Sequence, residues 1–128
     1  MNRSFLRPLL GSTALITSLG AALLASPPAW AHARVQTSTP ADGATLDAAP
    51  KALHIRFNEP IEAAISRITL QGPAGSALAT EKAQGDPADD HALNLALPPL
   101  AAGAYRAQWV TMGRDGHRMS GAIRFTVK

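Results

Sequence analysis

Apolar and polar positions alternate with a period of two in much of the chain, a pattern that is typical of strands with one buried face. The apolar positions of the four clearest segments are Leu53, Ile55 and Phe57; Leu93, Leu95 and Leu97; Tyr105, Ala107 and Trp109; and Ile123, Phe125 and Val127. A further strand is predicted over residues 65–70. Residues 71–90 are polar and predict a loop with one short strand around 77–80. No segment has a 3.6-residue apolar pattern, so the only helix expected is one turn over 61–65.

Proline and glycine clusters separate the predicted strands. The sequence Ser-Thr-Pro-Ala-Asp-Gly at 38–43 predicts a turn, and prolines follow the strands that end near 57 and 97. Several short strands with regular turn signals indicate an all-β domain, either a β-sandwich or a Greek-key barrel. Tyr105, preceded by a loop at 100–104, resembles the tyrosine corner of sandwich domains, in which the phenol hydrogen-bonds to upstream backbone.

The first 31 residues have the order of a secretory signal peptide. Arg3 and Arg7 precede a mostly apolar run at 9–25, and Ala29-Trp30-Ala31 matches a small-x-small cleavage site. An uncleaved membrane anchor is the alternative, but a spanning helix needs about 20 apolar residues and serines and threonines interrupt this run. We therefore predict a leader at 1–31 and one domain at 32–128. Cleavage two residues later, after Ala33, also satisfies the pattern.

Removal of the leader changes the charge of the protein. The whole chain has 12 basic and 9 acidic residues, and the leader contains two arginines and no acid. The remaining domain therefore has 10 basic and 9 acidic residues, a net charge of +1, so net charge gives no reason to expect nucleic-acid binding. The chain has no cysteine, which excludes disulfides, thiolate metal sites and cysteine nucleophiles.

Three residues form a candidate metal site. Cleavage after residue 31 would make His32 the first residue, and its free α-amine and imidazole could then chelate one ion. Asp115 and His117 would point to one face if their segment were extended, although Asp-x-His alone is more typical of a turn between strands. Together these residues offer three nitrogens and one carboxylate oxygen. Such a set favours Cu(II), whereas Zn(II) would need a tetrahedral arrangement and Cu(I) prefers sulfur ligands.

The other two histidines of the domain have simpler explanations. His54 falls on the polar side of an alternating strand and is predicted to be solvated. His91 follows Asp89 and Asp90 in a polar segment, for which a solvated acidic loop is expected and a loose divalent-ion site is the alternative.

The domain resembles the CopC family of periplasmic copper-binding proteins over nearly all of residues 32–128. The matching features, in chain order, are His32-Ala33, the turn at 38–43, the strand at 53–57 with Asn58-Glu59-Pro60, and then Leu100, Gly103, Tyr105, Trp109, Asp115-Gly116-His117, Gly121 and Phe125. Each feature is weak alone, but the ordered set is specific.

The resemblance implies an immunoglobulin-like Greek-key β-sandwich of about seven strands. It implies a Cu(II) site at His32, Asp115 and His117, with Glu59 beside it to orient a ligand or balance charge. It further implies a periplasmic protein for copper tolerance, buffering or delivery, whose partner is an inner-membrane copper transporter of the CopD kind. We expect a monomer. Some family members have a methionine-rich loop for Cu(I), but residues 71–91 contain no methionine, so no Cu(I) site is expected.

Two other functions fit parts of the sequence. A metal-free interaction module is compatible with a sandwich fold, because fold alone does not determine function. The other is a copper monooxygenase that uses an N-terminal histidine. All four aromatic residues of the domain fall on predicted buried faces, however, which leaves no surface on which a sugar could stack. We therefore do not expect an enzyme.

Overall fold

The computed structural model describes residues 34–128, so the predicted leader and His32 lie outside the described residues. The described chain forms eight strands and one 3-10 turn. These are β1 (Val35–Thr39), β2 (Ala44–Leu46), β3 (Ala52–Phe57), the 3-10 turn (Ala63–Ile65), β4 (Arg67–Gln71), β5 (Gln84–Asp86), β6 (Asp89–Ala96), β7 (Gly103–Met112) and β8 (Arg118–Val127). Over this part of the chain, no helix is long and apolar enough to cross a membrane.

The strands form two four-stranded sheets that pack as a sandwich. The first sheet has the order β1-β3-β6-β5, and the second has the order β2-β8-β7-β4. Neighbouring strands are antiparallel except β2 and β8, which are parallel. The prediction of an all-β sandwich is confirmed. Eight strands are present rather than about seven, and two of them, β2 and β5, are only three residues long.

The core lies between the sheets and contains the apolar faces predicted from the alternation. Leu53, Ile55, Leu93 and Leu95 of the first sheet are fully buried. Aromatic residues connect the two sheets or stack within one of them. Phe57 contacts Trp109 edge to face, with ring centroids 5.0 Å apart, and Tyr105 stacks on Phe125 at 5.5 Å. All four aromatic residues of the described chain are therefore inside the sandwich.

The segment between β4 and β6 differs from its prediction. No strand forms at 77–80. A single bridge joins Gln71 to Ala77, and a tight turn at Gly75, with φ of +78°, brings these residues together. The short strand of this segment is instead β5, which pairs with β6 at Gln84 and Asn94. Sequence pattern could not identify β5 because its three residues have no alternation of their own.

Other local predictions are confirmed. The helical turn expected within 61–65 is the 3-10 turn, and the strand predicted at 65–70 begins two residues later, at Arg67. The Tyr105 hydroxyl donates a hydrogen bond of 2.7 Å to the carbonyl of Ala101, so the tyrosine corner is present. The antiparallel order also brings the ends of β3 and β7 together with the starts of β6 and β8. We call this end of the sandwich, where β3 and β7 end and β6 and β8 begin, the site end.

Candidate metal site

The turn between β7 and β8 presents Asp115 and His117 at the site end. The Gly116 N–H donates to the carbonyl of Gly113 at 3.0 Å, and the Gly113 N–H donates to the carbonyl of His117, also at 3.0 Å. Gly116 has φ of +84°, a conformation that favours glycine. These hydrogen bonds close a tight turn between strands, which is the structure that the Asp-x-His pattern alone favours, and the segment is not extended.

The turn nevertheless places the two predicted ligands side by side. One oxygen of Asp115, Oδ1, accepts the backbone N–H of His117 at 3.0 Å, and the other, Oδ2, lies 2.8 Å from His117 Nδ1. Both side chains face solvent, with 48% of the Asp115 side chain and 73% of the His117 side chain exposed. No described residue hydrogen-bonds to His117 Nε2, so this nitrogen is free to bind an external ligand.

The short contacts between these residues change how both of them titrate. The backbone N–H of His117, followed by its ring, lowers the pKa of Asp115. The Asp115 carboxylate raises the pKa of His117 by hydrogen bonding and by charge, and the charge of Glu59 adds to this effect. Asp115 is therefore ionised at neutral pH and holds the imidazole through Nδ1. A carboxylate that accepts from one ring nitrogen is a common support for a metal-binding histidine.

Glu59 comes from the segment that follows β3 and reaches the same turn. Its Oε1 atom is buried and has no hydrogen-bond partner. A methyl group built at Gly113 would lie 3.0 Å from this oxygen and 2.8 Å from Asp115 Oδ1. The carboxylates of Glu59 and Asp115 therefore both pack against the α-carbon of Gly113. A buried carboxylate oxygen without a partner is costly unless a cation or proton satisfies it.

The backbone of this segment connects the two sheets. The N–H of Ile61 donates to the carbonyl of Asp90 in β6 at 3.0 Å, and the N–H of Glu62 donates to the carbonyl of Met112 in β7 at 2.8 Å. Ile61 also forms a bridge with Gly113. Glu59 is thus held at the seam between the sheets by a rigid segment.

The first described residue lies beside this segment. The Arg34 N–H donates to Asn58 Oδ1 at 2.6 Å, and the Asn58 N–H donates to the carbonyl of Arg34 at 3.0 Å. Asn58 immediately precedes Glu59. The chain therefore reaches the site end two residues after His32, the predicted ligand that lies outside the described residues.

A second group of polar side chains lies at the same end. Asp89, Asp90 and His91 place one ligand atom each within 4.8 Å of one another, the one such trio among residues 34–128. Both carboxylates already have cationic partners, because Arg56 lies 2.7 Å from Asp89 and Arg114 lies 2.7 Å from Asp90. Contrary to the sequence prediction, these residues are in β6 rather than in a loop.

The ion pair between Arg114 and Asp90 attaches the β7–β8 turn to the first sheet. Sequence pattern could not reveal this ion pair, because the two residues are 24 positions apart. The remaining histidine, His54, is half-buried rather than fully solvated, and its Nδ1 lies 2.6 Å from Asn94 Oδ1 on the neighbouring strand. The structure therefore places both His54 and His91 in contacts with neighbouring protein groups.

Comparison with known proteins connects this architecture to copper. The model of the CopC domain matches residues 35–128. Copper resistance protein C of Pseudomonas syringae pv. tomato is 31% identical over 126 residues, covering 94% of this chain and 99% of that protein. Copper transport protein CutJ of Bacillus subtilis is 32% identical over 99 residues, but the match spans only 18% of its length. The crystal structure of CopC from Methylosinus trichosporium OB3b superposes with a TM-score of 0.71 at 30% identity, covering 76% of this chain and 94% of that one.

Proposed function

Because this chain belongs to the CopC family, which links it to copper resistance or transport, we propose that it binds one Cu(II) ion through His32, Asp115 and His117. The ion is the cargo of the protein. The role would be copper tolerance, buffering or delivery, and the protein would act in the periplasm after removal of residues 1–31.

The observation that carries the proposal is the pairing of Asp115 with His117 beside a buried carboxylate oxygen. This pair places a ring nitrogen and a carboxylate oxygen 2.8 Å apart on one turn. The unpartnered Oε1 of Glu59 is the kind of group that a nearby cation would stabilise. Nitrogen and oxygen donors without sulfur suit Cu(II), which also has the highest affinity among the divalent first-row ions for such donors.

The N-terminal ligand is supported by the position of Arg34. Two residues of extended chain span at most about 7 Å. Since Arg34 is hydrogen-bonded to Asn58, a mature chain that starts at His32 has its α-amine and imidazole within reach of the site end. A chain that starts at Arg34 would lack both donors.

Glu59 would act beside the ion rather than as one of its principal ligands. Its charge already contributes to the raised pKa of His117. With a cation bound, the same charge would offset part of the positive charge at the seam between the sheets. We further propose that the protein is a monomer without enzymatic activity and that it exchanges copper with an inner-membrane transporter of the CopD kind.

Native mass spectrometry of protein from the periplasmic fraction, with Cu(II) added, tests the proposal. The expected species starts at His32 and holds one copper ion. D115N and H117Q should each weaken binding at least tenfold in a competition titration with a chromophoric chelator. H91Q, which changes a histidine at the same end of the sandwich, is the matched control and should bind as the wild type does. A chain that starts at Arg34 and does not bind copper would refute the assignment and leave a metal-free interaction module.

A further inference from the structure

Positive charge is concentrated on the outer face of the second sheet. Its outward positions include four arginines, Arg67, Arg106, Arg118 and Arg124, all of them exposed. No outward position of β4, β7 or β8 is acidic. Across the rest of residues 34–128, six basic residues accompany all nine acidic ones. The net charge of +1 therefore hides a basic face on an otherwise acidic molecule.

The four arginines have no ion pairs among the described residues. The nearby carboxylate of Asp42 accepts the backbone N–H of Arg124, not its guanidinium group. Arg106 and Arg124 are moreover directly opposite each other on β7 and β8. Like charges in this position destabilise a sheet, so folding alone does not account for the pair. An external anionic group would remove the repulsion.

The same face has a groove at the site end that is lined by both apolar and cationic side chains. The groove has a volume of about 320 Å³ and is lined by Ile65, Val110 and Met112 together with Arg67 and Arg118. Ile65 is 56% exposed and is the one large apolar side chain with such exposure in the described part of the chain. An apolar floor between two guanidinium groups is complementary to an apolar side chain flanked by carboxylates.

We propose that this face docks an acidic, extended segment of a partner protein. Val110, which faces Arg67 on β4, is four residues from Arg106 along β7, and four residues of strand span about 14 Å. The two ends of the face would therefore hold carboxylates about 14 Å apart, with an apolar side chain of the segment in the groove. Arginine suits this role because its planar group binds carboxylates through two hydrogen bonds. The groove is large enough to enclose an apolar side chain, which favours a protein segment over a lipid surface.

The partner would be bound next to the proposed copper site. Met112 and Arg118, at the edge of the groove, are the residues on either side of the Gly113–His117 turn. The docking surface does not depend on copper, so it can be tested on metal-free protein. A negative result for docking would leave the proposed copper site unaffected, and a negative result for copper binding would leave the docking proposal unaffected.

The test is a nuclear magnetic resonance titration of ¹⁵N-labelled protein, purified after expression of the whole chain. The probe is a blocked synthetic peptide with four glutamates around one leucine, at low ionic strength. Shifts should be confined to β4, β7, β8 and the turn at 63–65. R106Q/R124Q should weaken binding about three- to tenfold, as expected for loss of two exposed charge contacts. R34Q/K51Q, which removes the same charge outside this face, should change binding less than twofold.

Three further measurements complete the test. The thermal midpoint of R106Q/R124Q should equal or exceed that of the wild type, because a repulsion is removed. I65S should weaken binding of the leucine peptide but not of a version with glycine in place of leucine. Vesicles containing phosphatidylglycerol should bind more weakly than the peptide. Equal losses in the two double variants, shifts on the first sheet, or binding to vesicles but not to peptide would each overturn the proposal.

Discussion

Two glycines of the β7–β8 turn should respond to alanine in opposite ways. At Gly113, the new methyl group would lie 2.8 Å from Asp115 Oδ1 and 3.0 Å from Glu59 Oε1. Ordinary contacts begin at 3.4 Å, so G113A must move the Asp115 oxygen by about 0.6 Å. A displacement of this size exceeds the roughly 0.5 Å tolerance of a functional site. We expect copper affinity to fall about ten- to hundredfold, as for loss of other supporting groups around a metal.

At Gly116 nothing lies within 4 Å of the new methyl group. The cost of G116A is instead conformational, because φ is +84°. An L-residue in this region costs about 1–2 kcal/mol, which lowers the melting temperature of a domain of this size by about 5–10 °C. The ligand side chains keep their contacts, so copper affinity should change less than fivefold.

Scanning calorimetry of the metal-free variants and a Cu(II) competition titration separate the two effects. We expect G113A to change copper affinity more than stability and G116A to change stability more than copper affinity. If G113A bound copper as tightly as the wild type, then the packing of two carboxylates on this α-carbon would not position the ligands. If G116A lost as much affinity as G113A, strain in the turn would be the common cause.

Y105F removes the tyrosine-corner hydrogen bond and should lower the free energy of unfolding by about 1 kcal/mol in urea, without changing copper affinity. In a proton NMR titration, His117 should have a pKa above 6.5 that D115N lowers. Copper affinity measured between pH 8 and 5 should therefore fall as the pH drops through that raised pKa, because protons compete for the ligand. The backbone N–H of His91 lowers the pKa of Asp89, so this carboxylate stabilises the fold above its unfolded pKa near 3.8 and ceases to do so as the pH falls through the lower folded value. Urea unfolding should show wild type more stable than D89N at pH 7, with the difference shrinking below pH 3.8.

The four long alternating segments could be predicted from the sequence because burial of one face determines their pattern. Leu53, Leu95, Ala107 and Phe125, one from each segment, are all buried as expected. The short strands could not be predicted in the same way. The strands β2 and β5 have three residues each, and pairing with a neighbour rather than an internal pattern makes them strands.

The residues of the candidate site could be predicted only in part from the sequence. The Asp115–His117 spacing indicated a pair of ligands, and the structure brings them together through a turn rather than a strand. The contact of Glu59 with Gly113 was not accessible, because it joins residues 54 positions apart whose proximity depends on how the two sheets pack. The role of His32 stays a prediction.

The segment that carries Glu59 has a kinetic consequence for ion capture. Its backbone is hydrogen-bonded to β6 on one side and to β7 on the other, so it is ordered when the sandwich folds. No loop has to close around an incoming ion on this side of the site. The Glu59 side of the site should therefore add no slow conformational step to loading, and so should not itself cause the loading rate to reach a plateau as the ion concentration rises.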